Sequence, residues 1–286
     1  MVGPGPGTLY VVATPLGNLE DLTFRAARVL KEVALVAAED TRRTRKLLAH
    51  LGASARVLGY REQNHQKVLP RLLEVLEAGG NVALVTDAGT PGVSDPGTLL
   101  VREAAARGLP VTPIPGPSAV AAALSAAGLP ADGFLFAGFL PAKAPARRKE
   151  LEKIKDLPRT LVFFEAPHRL AVSLADLARV LGDREAVMCR EMTKINEEFR
   201  RGGLAGLARE AARRGEEPRG EVTLVVAGAG GRRLLDREEL ARLIREDERP
   251  VREIVADLAG VSNLGRSELY RLVLEVRRGR EPANNG

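Results

Sequence analysis

Residues able to do chemistry collect in a few short stretches of this chain. The longest is Thr86-Asp-Ala-Gly-Thr-Pro-Gly-Val-Ser-Asp-Pro-Gly97. Gly89, Gly92 and Gly97 permit positive φ or close backbone approach, Pro91 and Pro96 stiffen the path, and Asp87 and Asp95 supply acceptors. Glu39-Asp-Thr-Arg42 joins two carboxylates to a guanidinium, and Phe164-Glu-Ala-Pro-His-Arg169 and Arg190-Glu-Met-Thr-Lys-Ile-Asn-Glu197 mix acids and cations in the same way. Such loops offer backbone N–H and C=O groups with a few charges. That suits an uncharged or zwitterionic, nucleoside-like ligand better than a triphosphate. Each stretch has a plainer reading, as a tight turn, a solvated helix N-terminus or simple surface. All of them being plain is the weaker account.

Other chemistries are excluded by counting. His50, His65 and His168 lie far apart without ligand spacing, and Cys189 is the single cysteine, so no transition-metal site is expected. There is no G-x-x-x-x-G-K-[ST], no G-x-G-x-x-G after the first strand and no G-x-S-x-G. Cys189 reads as a small core residue rather than a nucleophile, and a lone cysteine fits a reducing compartment.

The reactive stretches need elements to hold them. Apolar runs Thr8–Ala13, Ala34–Ala38, Arg56–Gly59, Val82–Val85 and Val111–Ile114 predict strands. Helices alternate with them: one capped by Asp21 or Thr23, then Thr44–Leu51, Val68–Ala78, one after Gly97, and Ala119–Ala127. This alternation predicts a parallel sheet with helices on both faces. Loops 14–19, 39–43, 86–97 and 115–118 then line one edge of it, where ligands bind in open α/β sheets. A second α/β unit follows, with strands 133–137, 160–164, 186–190, 199–201 and 222–227, helices 170–181 and 204–213, and a basic stretch from Lys143 to Arg159. Its sheet should be mixed, because several strands follow one another without a full helix between. The expected division is 8–128, 129–230 and a helical C-terminal segment, 231–286, with helices 237–245, 251–259 and 267–276. The turn 260–265 gives the last two a helix-turn-helix look; a plain helical appendage explains it equally well.

The 286 residues are 45 % hydrophobic and 28 % charged, a globular profile with ample core material. Aromatics are only 3 % and Trp is absent, so the core must be Leu, Val and Ala. A net charge of +6 is compatible with nucleic acid without requiring it. Residues 1–7 read as a disordered leader, and neither a signal peptide nor a spanning segment is visible. A cytoplasmic protein is expected.

The ordered motifs carry a resemblance. Ala13-Thr-Pro-Leu-Gly-Asn-Leu19, Ala38-Glu-Asp-Thr-Arg42, Thr86-Asp-Ala-Gly-Thr-Pro91 with Ser94-Asp-Pro-Gly97, Pro115-Gly-Pro-Ser118, Gly138-Phe-Leu-Pro141, Phe164 to Arg169, Arg190-Glu-Met-Thr-Lys194 and Gly220-Glu221 all lie in one stretch, Thr8 to Val226. They resemble the cytidine 2′-O-methyltransferases of small-subunit (16S) ribosomal RNA, a branch of the tetrapyrrole (precorrin-type) methylases. Phe163-Phe164, where Tyr is commoner, and Leu16, where Ile is usual, are small departures. The resemblance implies a two-domain fold with a parallel-sheet N-terminal domain and a mixed-sheet second domain. It further implies a homodimer and S-adenosylmethionine held between the domains. By position the cofactor would meet Pro15, Asp87, Gly89, Val93, Ser118, Phe164, Glu165, Gly220, Glu221 and Val222.

For such a reaction the chain must align oxygen, methyl and sulfur and accept the proton of a poorly acidic hydroxyl. Strand-end position makes Asp40, Glu165 and Lys194 the candidate bases, Lys194 only if its pKa is depressed. Arg42, Arg169 and Arg190 would hold RNA phosphates, and Arg147, Arg148 and Lys149 would lie against the RNA of the small ribosomal subunit. Methylation of a tetrapyrrole carbon, and an RNA-binding protein without catalysis, are the alternatives. Cofactor binding separates the second of these from the enzymes.

Overall fold

Five apolar runs become β1 (Leu9–Val12), β2 (Leu35–Ala38), β3 (Arg56–Gly59), β4 (Val82–Val85) and β5 (Val111–Ile114). The computed structural model describes residues 5–94, 97–214, 220–230, 235, 237–259, 261–262 and 264–278. The strands lie in the order β3-β2-β4-β1-β5, all neighbours parallel. β2 and β4 are buried along their whole length, which is why they read as unbroken apolar runs. Helices α1 (Phe24–Glu32) and α2 (Thr41–Leu51) cover one face, packing Leu30 and Leu48 on Val12 and Val36. On the other face α3 (His65–Glu77) and α4 (Thr98–Ala106) pack Leu72, Leu76 and Leu100 on Leu9 and Leu84. Of the two caps expected for α1, Thr23 holds the position, its Oγ1 accepting from the Ala26 N–H at 3.1 Å.

Neighbouring strands β1 and β4 send the chain to opposite faces, into α1 and α4. Their carboxyl ends therefore form a switch point, the place where loops diverge and leave a crevice.

The chain then runs through α5 (Ala119–Ala127), β6 (Phe134–Phe139), α6 (Ala144–Ile154), β7 (Thr160–Glu165), α7 (Leu170–Leu181), β8 (Glu185–Arg190), β9 (Glu198–Gly203), α8 (Leu204–Arg213) and β10 (Val222–Val226). The second sheet has the order β6-β7-β10-β8-β9 and is mixed, with β6 and β7 parallel and the other pairs antiparallel. Helices α6, α7 and α8 cover one face through Leu151, Leu174 and Leu207. The alanine-rich α5, arriving from the first sheet, covers the other against Val162, Val187 and Val225. Cys189 belongs to that layer; burial pushes its thiol up to about 12, as befits a core residue. Within the stretch read only as basic, α6 forms because Arg147 and Leu151, four residues apart, share one buried face.

A third layer, α9 (Arg237–Glu246), α10 (Val251–Leu258) and α11 (Arg266–Arg278), closes on its own core of Leu240, Ile244, Ile254, Leu269 and Val273. The turn residues Gly260 and Asn263 lie outside the described residues, as do residues 1–4, Asp95, Pro96 and Gly231. Residue 7 is tied down, its N–H donating to the Leu76 carbonyl at 2.7 Å, so the expected loose leader does not reach that far. Among the described residues no helix is long and apolar enough to cross a membrane.

Candidate active site

The loops at the switch point are stitched together. Thr14 and Gly89 exchange backbone hydrogen bonds of 2.9 and 3.0 Å, which joins the loop after β1 to the loop after β4. Thr14 Oγ1 donates to the Thr86 carbonyl at 3.1 Å, and Thr90 Oγ1 donates to that of Pro117 at 3.0 Å. Gly89 has φ +84°, a backbone state that side chains disfavour. These contacts hold one wall of a cleft of about 510 Å³ between the two sheets.

The opposite wall comes from β6, β7 and the start of β10. Phe164 sits edge-on to Phe136 and Phe139, at centroid distances of 4.8 and 5.6 Å. Phe139 remains 57 % exposed, an aromatic face turned to the cleft. Glu165 is buried: its Oε1 accepts from the Ala166 N–H at 2.8 Å, while Oε2 has no donor among the described residues. Of the residues that the resemblance implies for the cofactor, Asp87, Gly89, Val93, Ser118, Phe164, Glu165, Gly220, Glu221 and Val222 line this cleft. Pro15 lines an adjoining cavity.

Charges at the rim form two groups. In the first, Glu39 Oε2 accepts from Thr86 Oγ1 at 2.7 Å and from the Asp87 N–H at 3.3 Å. Asp87 Oδ1 accepts from the Asp40 N–H at 3.0 Å, with Arg43 Nη1 3.5 Å from Oδ2. Burial, helped by the nearby Glu39 carboxylate, raises the Asp87 carboxyl above its ordinary value against the pull of Arg43. Asp40 is the N-cap of α2. Its carboxylate accepts from the Arg42 N–H at 2.7 Å and from the Arg42 guanidinium at 2.9 Å. Those bonds hold it well below the usual carboxylate range, which makes it a weak proton acceptor.

The second group surrounds Lys194. Its Nζ lies 2.8 Å from Glu191 Oε1 and 3.3 Å from Glu221 Oε2. Burial works to lower the Lys194 pKa, but the two carboxylates outweigh it and the net shift is upward. The expected depressed lysine is therefore corrected: Lys194 is a held cation, not a base. Its stem passes over Gly17, where an added Cβ would lie 2.2 Å from Lys194 Cγ. Gly220, at φ +101°, leaves room for Glu191 in the same way, an added Cβ falling 2.2 Å from the Glu191 carboxyl carbon. Glu191 and Thr193 take positive φ themselves, +50° and +67°, backbone strain concentrated beside the site.

Three cations expected to meet RNA, Arg147, Arg169 and Arg190, are placed elsewhere. Arg147 is 2 % exposed; its Nε donates to Asp176 Oδ2 at 2.8 Å and its Nη1 to the Pro141 and Ala142 carbonyls. A buried, fully engaged guanidinium cannot reach a phosphate, so that expectation is overturned. Arg148 reaches the other oxygen of Asp176 at 2.6 Å and keeps 40 % of its side chain exposed, and Lys149 is exposed. Arg169 donates to the Leu140 carbonyl at 2.5 Å and lies 3.3 Å from Glu165, bracing the aromatic wall. Arg190 faces α8, 3.7 Å from Glu198, beside a small separate crevice rather than the cleft. Arg42 stays 82 % exposed.

The site residues to which sequence reasoning gave no role of their own are Glu39, Arg43, Lys46, Phe139 and Glu191. Glu39, Phe139 and Glu191 stand inside the motifs already named, and Arg43 follows one directly, so membership or adjacency was the available signal. Among the described residues no cluster of His, Cys, Asp and Glu could hold a metal.

Residues 8–208 match the tetrapyrrole (corrin/porphyrin) methylases. A Pseudomonas aeruginosa protein named "Ribosomal RNA small subunit methyltransferase I" is 52 % identical over 223 residues, 78 % of this chain and 79 % of that protein. One of the same name from Escherichia coli O157:H7 is 48 % identical over 78 % of both chains. Among solved structures, uroporphyrin-III C-methyl transferase from Thermus thermophilus complexed with S-adenyl homocysteine superposes with a TM-score of 0.55 at 25 % identity, over 77 % of this chain and 97 % of that one. Diphthine synthase shares the fold, with a TM-score of 0.58 at 17 % identity over 93 % of this chain and 100 % of that one. The chain belongs to the tetrapyrrole (corrin/porphyrin) methylase family.

Proposed function

We propose that the chain is an S-adenosylmethionine-dependent methyltransferase of small-subunit (16S) ribosomal RNA, acting on the 2′-oxygen of a cytidine. The observation that carries this reading is the cleft itself. It is aromatic on one side and closed by backbone loops, with carboxylates in its lining, in a chain about half identical to proteins named for methylating that RNA.

The residues fit the cofactor. The cleft volume of about 510 Å³ suits a ligand of this size. Phe139 and Phe164 offer faces for an adenine ring or a sulfonium. Gly89 and Gly220 offer bare backbone at points where a Cβ would strain or collide, and Val222 lines the same wall. Asp87, Val93, Ser118, Glu165 and Glu221 complete the set, with Pro15 in the adjoining cavity. When bound, the cofactor supplies a methyl group already activated toward a nucleophilic oxygen.

The chain's own part is alignment and proton removal. The stitched loops of β1 and β4 and the β7–β10 wall hold the cofactor between them, so the reacting atoms meet at fixed geometry. Of Asp40, Glu165 and Lys194, Glu165 keeps the role of proton acceptor, because it lines the cleft and its buried Oε2 has no donor among the described residues. Arg42, Arg148 and Lys149 remain available to RNA phosphates. The protein works in the cytoplasm on the RNA of the small subunit, as a homodimer, with lobes at 8–128 and 129–230 and a helical segment at 231–286.

Transfer of labelled methyl from S-adenosylmethionine to small ribosomal subunits, with nuclease mapping of the product, tests this. Labelled 2′-O-methylcytidine supports the reading. Cofactor binding with label only in a supplied tetrapyrrole would replace it, and failure to bind cofactor would leave a non-catalytic RNA-binding protein.

A further inference from the structure

Next to the cofactor cleft lies a second cavity, of about 390 Å³. It opens into the first through Thr86, Asp87 and Glu221, which line both. Its walls are apolar, from Pro15, Leu19 and Leu47, and its rim is cationic, from Arg43, Lys46 and Lys194.

The arrangement follows from α2. Asp40 caps that helix, which fixes its first turn at the switch point. Arg43, Lys46 and Leu47 then fall three and four residues apart, on the one face that looks into the cavity. Leu19 stands 45 % exposed in the 3₁₀ turn that faces them. Lys46 is exposed and has no ion-pair partner among the described residues. Arg43 reaches Asp87 only at 3.5 Å and keeps 61 % of its side chain exposed. A chain gains nothing in stability from an exposed leucine beside an unpaired lysine in a hollow. Both are accounted for by a ligand with an apolar ring and an anionic group.

We infer that this cavity is the subsite for one unpaired nucleotide of the RNA, an inference that rests on the function proposed above. Arg43 and Lys46 hold the phosphate, the base lies against Leu19, Leu47 and Pro15, and the ribose faces the doorway at Asp87 and Glu221. A duplex cannot enter such a hollow, so the target nucleotide must be single-stranded or swung out of its stack. Lys194 spans the doorway, tied to Glu221 on one side and packed over Gly17 on the other.

Two variants test it, each measured with small ribosomal subunits as substrate and, separately, for S-adenosylmethionine affinity by calorimetry. Lys46→Glu reverses the charge of one of the three rim cations; Leu19→Trp fills the hollow from an exposed position. Lys46→Glu should raise KM for subunits about tenfold, leave cofactor affinity within about twofold, and lower the slope of log KM against log salt by about 0.7, the loss of one single-strand phosphate contact. Leu19→Trp should bind cofactor normally and lose methyl transfer. Normal cofactor binding also shows that each variant is folded. Unchanged subunit KM and salt slope in Lys46→Glu, or full activity in Leu19→Trp, would overturn the subsite while the function stands. A wild-type protein that binds cofactor but does not label subunits would overturn both. Equal loss of cofactor and subunit affinity would mean that the cavity belongs to the cofactor instead.

Discussion

Two runs of adjacent basic residues look alike in the sequence and do opposite things. Arg147-Arg148-Lys149 lies on α6, and Arg42-Arg43, followed by Lys46, lies on α2. On α6 the first arginine is turned inward, and Asp176 on α7 takes both its guanidinium and that of Arg148. On α2 the helix begins at the switch point, so Arg43 and Lys46 border a hollow instead of a neighbouring helix. The same residue type serves as a packing strut in one place and a cavity-lining charge in the other. What differs is which element packs against the helix, and that is a long-range property.

The sharpest way to break this contrast is to remove the partner on α7. Asp176→Ala leaves Arg147 buried without its counter-charge and should cost about 3–5 kcal/mol in urea unfolding. Replacing both groups by apolar residues of similar volume should restore most of that loss. Alanine at Lys46 should leave the unfolding midpoint unchanged and alter only subunit kinetics. If Asp176→Ala unfolds at the wild-type midpoint, the inward strut is not what holds α6.

Next in size is the strained rim. Gly220→Ala places a Cβ against Glu191 at φ +101°, and should cost about 1–3 kcal/mol while weakening cofactor binding. Unchanged calorimetric affinity would show that the Glu191–Lys194–Glu221 group is not part of the cleft.

The pH dependence of that group is a finer test. Lys194 is raised, so its contribution is complete below its unfolded value and is lost only as pH rises through the higher folded one. Burial works to raise Glu191, but hydrogen bonds from Lys194 and the Glu221 N–H lower it on balance. Its contribution is present above the unfolded value and lost as pH falls through the lower folded one. The stability difference between wild type and Lys194→Met should therefore be flat from about pH 6 to pH 9. A slope within that window would mean that Lys194 titrates as a base after all. Asp87 behaves oppositely: raised by burial and by Glu39, it protonates above the ordinary value of about 3.9. Glu39→Gln should move the acid limb of kcat/KM to lower pH.

The smallest effect concerns Cys189. With its thiol pushed up to about 12 by burial, native protein at pH 8 should resist iodoacetamide, and unfolded protein should react.

Much of this could be read locally. The alternating strands and helices, the mixed second sheet and the crowded strand ends follow from apolar periodicity and from Gly, Pro and Asp placement, signals that span a dozen residues. The sequence motifs of the methylase family lie at those same strand ends. The α6 helix was hidden because its buried face includes an arginine, which periodicity counts as polar. The cavity on α2 was hidden because its lining comes from the loop after β1, from α2, from the end of β4 and from Lys194, segments joined only by the strand order β3-β2-β4-β1-β5. Sequence by itself determined the elements and the ligand-like loops, since both rest on short-range backbone preferences. Only the tertiary structure decided the charge on Lys194, the burial of Arg147 and the existence of a second hollow, because each depends on groups brought together from distant parts of the chain.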